Sequence, residues 1–237
     1  MNSLNEKIAG LIAGLDHPEK AKIRTSVDGL IELSAGAPHV RTALEQSLRE
    51  GRNKNRWAIA YVLGHLPQPS GAPIRALLDG LDHAEPDIRW AIALLLTRIA
   101  RVEGSLINLL LELCRSGKMN QRRMAVYCIR DLQLSDDASM QALLSATRDE
   151  EATVRVAAVT SLRTRSDVGD SARRRMLEIF LQDDETKVRN ASAITLAQLG
   201  SPSEDFVAAL QSAENGSNAQ LRKTATAALS LLLNVKK

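Results

Sequence analysis

The sequence predicts an all-α superhelix of seven antiparallel helix pairs, about 33 residues to the repeat. Three observations carry that reading. RWAIA is written twice, at residues 56–60 and 89–93, and relatives of it recur along the whole chain. Each copy is preceded by a second apolar pattern of helical spacing, and no stretch alternates in the manner of a strand. The frame also keeps its phase. Arg24, Arg56, Arg89, Arg122, Arg155, Arg189 and Arg222 are separated by 32, 33, 33, 33, 34 and 33 residues. Seven positions after each arginine stands Ile31, Leu63, Leu96, Ile129, Leu162, Leu196 or Leu229. Two positions after it the residue is small, Met124 being the exception.

Each unit therefore reads as helix A, a polar turn, then helix B. Helix A is seen in Leu4, Ile8, Leu11 and Leu15, in Ile74, Leu77, Leu78 and Leu81, in Met176, Leu177 and Phe180, and in Phe206, Val207 and Leu210. The turns are DHPEKAK, DHAEPD, RDEEAT and DDETK, and Gly, Pro and Ser stretches such as LPQPSGAP separate each repeat from the next. The repeats run over about 4–34, 40–66, 72–99, 104–132, 138–165, 171–199 and 204–233. A helix pair of this size cannot bury its apolar face alone, so stacking supplies one continuous core, and residues 1–237 are expected to form a single solenoid.

Composition bounds the function. With 44% hydrophobic and 25% charged residues the chain is a folded protein. It has no apolar run of membrane-spanning length, and MNSLNEKIAG, with acidic and amide residues in place of a basic patch and apolar core, leads to the expectation of no signal peptide. The expectation is a cytoplasmic protein, with no membrane partner and monomeric on its own. Cys114 and Cys128 lie in helical apolar patterns and read as small core residues. The charge asymmetry is mild, 18 basic against 14 acidic residues up to residue 133 and 13 against 14 beyond it. That is less basic excess than a committed nucleic-acid binder shows.

The B segments resemble the HEAT repeat in its short, bacterial form, whose second helix opens with Val-Arg and continues with small residues and a leucine. VRVAAVTSL and VRNASAITLAQLG match best, and the resemblance covers residues 4–233. Asn55 and Gln121 replace the Val, and the first copy, with Asp28 and Gly29 inside helix B, reads as an atypical cap.

The arginine frame is read as structural. An arginine near the start of helix B can bond turn carboxylates such as Asp16, Asp82, Asp149 and Asp183, or loop carbonyls. Binding then falls to positions the frame does not need. Counted from the arginine, +1, +5 and +8 lie opposite −1, +3, +7 and +10. The resemblance implies that B helices line a concave groove, so these positions would form its floor. They hold every Trp and Tyr of the chain, Trp57, Tyr61, Trp90 and Tyr127, together with Leu94, Arg123, Arg130 and Arg163. Aromatic rings beside arginines are frequent binding anchors.

The expected function is a non-enzymatic scaffold or adaptor that binds a protein or peptide segment. An acidic or hydroxyl-rich partner suits the arginines. No cofactor, metal or catalytic residue is expected: His17, His39, His65 and His83 are scattered, and no His-Glu dipeptide supplies the metal motif of HEAT-like deoxyhypusine hydroxylases. Nucleic-acid binding, including a HEAT-like alkylpurine DNA glycosylase, ranks second; the only acid at the margin of the aromatic face is Asp131. A chaperone resembling the bilin lyases is the third reading.

Overall fold

Fourteen helices, paired A then B, make up the described residues of the computed structural model, which are 2–51, 53–67, 71–164, 168–199 and 203–235. By its contacts the chain divides into two compact units, Met1–Leu106 and Ile107–Lys237.

The first unit holds three pairs: α1 (Asn2–Gly14) with α2 (Lys20–Ser34), α3 (His39–Glu50) with α4 (Arg56–His65), and α5 (Ala72–Gly80) with α6 (Pro86–Ala100). Helix α7 (Ser105–Ser116) begins at its boundary. The second unit continues with α8 (Met119–Leu132), the pair α9 (Asp137–Ala146) and α10 (Ala152–Leu162), the pair α11 (Asp170–Gln182) and α12 (Thr186–Gln198), and the pair α13 (Glu204–Glu214) and α14 (Ala219–Val235). No strand occurs among the described residues.

The frame residues are where the core is. Ile59, Leu63, Ile92 and Leu96 are buried in the first unit, as are Ile129, Val154 and Leu162 in the second. Side chains of the A segments are buried with them: Leu15, just past α1, Leu44 and Leu77 in the first unit, Leu143, Met176 and Phe180 in the second. Phe180 and Phe206 pack edge to face, with centroids 6.4 Å apart, the arrangement that sets the positive edge of one ring against the negative face of the other. Glycines serve the close approaches. A Cβ on Gly80 would stand 2.7 Å from Ile92 Cδ1 and 3.1 Å from Trp57 Cβ, so the bare glycine lets α5 pass close to α4 and α6 without displacing either side chain.

The arginines act at the A–B turns. Arg89 Nη1 donates to the carbonyls of His83 and Ala84, Arg155 Nη1 to those of Asp149 and Glu150, and Arg222 Nη1 to those of Gly216 and Ser217. Two arginines also reach forward to the next repeat. Arg122 grips Asp149 with Nε and Nη2, both at 2.8 Å, and Arg155 grips Asp183 in the same way, both at 2.9 Å. These donors satisfy carbonyls that a tight turn leaves open and tie neighbouring repeats by charge-assisted bonds.

Arg56 departs from the frame. The other arginines from Arg89 onward are the fourth residue of their helix, whereas Arg56 is the first of α4 and is exposed. The missing turn of helix is used elsewhere. Asp16 accepts from the backbone N–H groups of Lys54 and Asn55, and the Asn55 side chain donates to the Leu15 carbonyl, so this segment laces the first pair to the second. In the first copy, Gly29 does not break α2; it lets Leu11 approach, a Cβ there meeting Leu11 Cδ1 at 3.3 Å.

Candidate functional site

The face opposite the core differs in kind from the frame. None of the residues at +1 and +5 is buried: Thr25 and Gly29, Trp57 and Tyr61, Trp90 and Leu94, Arg123 and Tyr127, Val156 and Thr160, Asn190 and Ile194, Lys223 and Ala227 are all exposed or half-buried. Position +8 departs from the expected outward set. Gly64, Thr97 and Ala197 are buried there, while Arg163 is exposed and Arg130 half-buried. The reason is plain at Gly64: a Cβ would stand 2.8 Å from Leu95 Cδ2, so +8 is a seam where one B helix rests on the next.

In the first unit, α2, α4 and α6 enclose a cleft of about 620 Å³. Trp57 and Tyr61 line it from α4, between Lys20, Arg24 and Asp28 of α2 and Asp87 of α6. The Trp57 ring is held from behind by His83, edge on at 5.6 Å. His83 is itself fixed, because its Nδ1 accepts the Glu85 N–H at 3.1 Å. Asp149 and Asp183 perform that capping role in the second unit, accepting from Glu151 and Glu185. The Tyr61 ring lies tilted at 52° against His65, centroids 4.6 Å apart, and His65 Nδ1–H donates to the Tyr61 carbonyl. Burial raises the Tyr61 phenol above its ordinary value, with Arg98 acting the other way. Burial also lowers the pKa of His65 and His83. Trp90 and Leu94 lie outside this lining; they are 39% and 61% exposed on α6.

An ion pair closes one end of the cleft. Lys20 Nζ reaches Glu85 Oε2 at 2.5 Å and both Asp87 oxygens at 3.1 Å. The two carboxylates hold the ammonium above its usual pKa, and Lys20 holds Asp87 below its own. Sequence reasoning missed Lys20, Asp28, Glu85 and Asp87 because it considered only one stripe of helix B. The signal was present in the turns, where DHPEK ends in a lysine and DHAEPD in carboxylates.

In the second unit the arginines are partly engaged within the chain. Arg130 Nε donates to Asp131 at 2.7 Å, and its guanidinium lies 4.9 Å from the Tyr127 ring centroid. Arg123 contacts Asn120, and Arg163 donates to Gln198 at 3.2 Å. Asp131, the acid at the margin of the aromatic face, is thus held by an arginine. Among the described residues no three His, Cys, Asp or Glu side chains gather where they could hold a metal ion, and no helix is long and apolar enough to cross a membrane.

Fold and repeat frame together define an α-helical repeat protein of the solenoid class. The HEAT-repeat family matches residues 74–163 and 140–230, more than half of the chain, and the protein belongs to that family. No curated protein matches the chain in sequence. Among solved structures it is similar to human deoxyhypusine hydroxylase in complex with glycerol, at 15% identity and a TM-score of 0.45, over 96% of this chain and 84% of that one. It is also similar to a computationally designed armadillo repeat protein for modular peptide recognition, at 14% identity and a TM-score of 0.45, over 95% and 99%. An engineered protein matches at 15% identity and a TM-score of 0.41, over 96% and 97%. These likenesses concern the fold alone.

Proposed function

We propose that this chain is a non-enzymatic cytoplasmic scaffold, a single solenoid over residues 1–237, that binds a protein or peptide segment along its helix-B face. Trp57, Tyr61, Trp90, Leu94, Arg123, Tyr127, Arg130 and Arg163 are the contact residues. The observation that carries the reading is the contrast along each B helix. The +3 and −1 positions are mostly buried, while +1 and +5 escape burial in every repeat and carry all the Trp and Tyr of the chain. Exposed apolar side chains gathered on one face favour a partner, and Trp90 and Leu94 add two on α6, outside the aromatic cleft.

Affinity capture compares the wild type with Trp90→Ala/Leu94→Ala. A partner held by the first and lost by the second supports the reading; equal capture by both overturns it. Nucleic acid is separated by salt. Binding to duplex or single-stranded DNA that weakens steeply with ionic strength reports counterion release and would displace the peptide reading.

A further inference from the structure

We propose, resting on the peptide-binding reading, that the first-unit cleft receives a lysine or arginine side chain of the partner, and that Lys20 occupies this seat in the free protein. The Lys20 contact does not belong to the packing frame. Frame ion pairs join neighbouring repeats: Arg122–Asp149 spans 27 residues and Arg155–Asp183 spans 28. Lys20 instead crosses from the first turn of α2 to the start of α6, 65 and 67 residues away, past the intervening α4. The turn it reaches carries His83 where the second unit carries Asp149 and Asp183, the aspartates that take the frame arginines.

The charge at this end favours a cation. Lys20 alone stands against Glu85 and Asp87, one cation for two carboxylates, while Asp28 has Arg24 beside it and Arg98 opposing its effect on Tyr61. Arg24 meets Asp28 only at 3.9 Å, with both side chains largely exposed. One ammonium therefore serves two carboxylates, and a second cation would improve the balance. An acidic side chain would have to take Lys20 from Glu85 and Asp87 and leave both unneutralised. This reverses, for the first unit, the expectation of an acidic partner.

The remaining lining suits a basic side chain. Trp57 and Tyr61 line the cleft with aromatic rings, the side chains that attract a guanidinium or ammonium. Ile23, Val27 and Ala91 offer apolar wall to its methylene stem. Lys20 is replaceable: its side chain is 52% exposed and those of Glu85 and Asp87 are 48% and 64% exposed, so solvent screens the pair.

The test uses three blocked hexapeptides, alternating Leu-Arg, Leu-Glu and Leu-Gln, titrated into the full chain by tryptophan fluorescence and calorimetry. The Leu-Arg peptide should bind best. Lys20→Ala should tighten it by about threefold or more, and Glu85→Gln/Asp87→Asn should weaken it by about tenfold, the scale of one well-placed charge contact. Circular dichroism melts identify any variant that fails to fold, and Lys20→Arg provides a second, fold-neutral variant that should compete like the wild type. Stronger binding of Leu-Glu, or a Leu-Arg affinity unmoved by Lys20→Ala, overturns the proposal. Equal binding of all three peptides, lost with Trp57→Ala, would sink the cationic seat and leave the peptide-binding reading standing. No binding of any peptide removes the seat, and the capture experiment then judges the wider reading alone.

Discussion

Arg122 and Asp149 form a two-point ion pair between successive repeats, Nε to Oδ2 and Nη2 to Oδ1, both at 2.8 Å. Their side chains are only 13% and 8% exposed, which sets this pair apart from Arg24–Asp28 at 86% and 69%. The same guanidinium also donates to the Gly117 carbonyl at 3.0 Å, so one side chain fixes its own turn and the next.

Removing the partner should therefore cost more than removing a surface charge. Asp149→Asn keeps the shape but leaves a shielded guanidinium with weakened acceptors, and a loss of about 1 to 3 kcal/mol is expected in denaturant unfolding. Arg89→Ala, which strips the donor from two turn carbonyls, should fall in the same range. Asp28→Asn should change stability by less than about 0.5 kcal/mol. Equal effects at Asp149 and Asp28 would contradict the structural reading of the ladder.

Core truncations should follow position in the stack. Leu96 and Leu162 are fully buried, and either Leu→Ala change should cost about 2 to 5 kcal/mol. Leu229, at the same frame position in the last repeat, is half-buried in α14 and should cost less. Chemical denaturation of the three variants decides it; similar losses at all three would mean that neighbours do not share the core as stacked repeats should.

The histidines make stability depend on pH. Burial lowers the pKa of both His65 and His83 from the ordinary 6.5. Protonating His83 would also remove the acceptor that Nδ1 presents to the Glu85 N–H. Between the folded pKa and 6.5 the unfolded chain binds more protons, so stability rises with pH through that window. From these two groups, stability should be complete above 6.5, fall as pH drops below it, and level off below the folded values. In melts across this range, His65→Gln/His83→Asn should flatten the slope; an unchanged slope would assign it to other groups.

Thiol chemistry reports on the second unit. Cys114 and Cys128 are buried, and burial pushes the Cys114 thiol up to about 12. Since the thiolate is the reacting form, neither residue should label in the native protein at pH 8. Labelling should appear together with denaturant-induced unfolding. Prompt modification of the native chain would place one of these thiols at the surface.

Much of the fold is legible because one packing solution is repeated. The arginine and the +7 apolar residue recur in phase, and the helix pairs fall where that frame puts them. The exceptions are local substitutions of one contact for another. Arg56 is exposed because Asn53 to Asn55 are spent on lacing α4 to the first turn. Gly64 is buried at a nominally free position because Leu95 rests on it. The Lys20 crossing was illegible for a different reason: it skips a repeat, and a periodic frame describes only neighbours. His83 was half legible, standing in its turn where Asp149 and Asp183 stand in theirs, yet nothing in the sequence says that Trp57 would lean on it.

That contact separates the two tryptophans, which the frame alone treats as equivalent. Trp57 is half-buried, touches His83 and stands over Gly80, whereas Trp90 is 39% exposed. Trp57→Ala should therefore lower stability by about 1 to 3 kcal/mol through lost packing, and Trp90→Ala by less. The double variant should keep its helix content and unfold cooperatively, since the other repeats place Thr, Arg, Val, Asn or Lys at the same frame position. Partner affinity should nonetheless drop by about 2 kcal/mol or more for each ring that acts as an anchor. Measured together, circular dichroism, denaturant midpoints and binding isotherms separate the two roles. Loss of binding without loss of fold makes the rings anchors. If the double variant unfolds instead, both rings are packing residues and the helix-B face loses its candidate site.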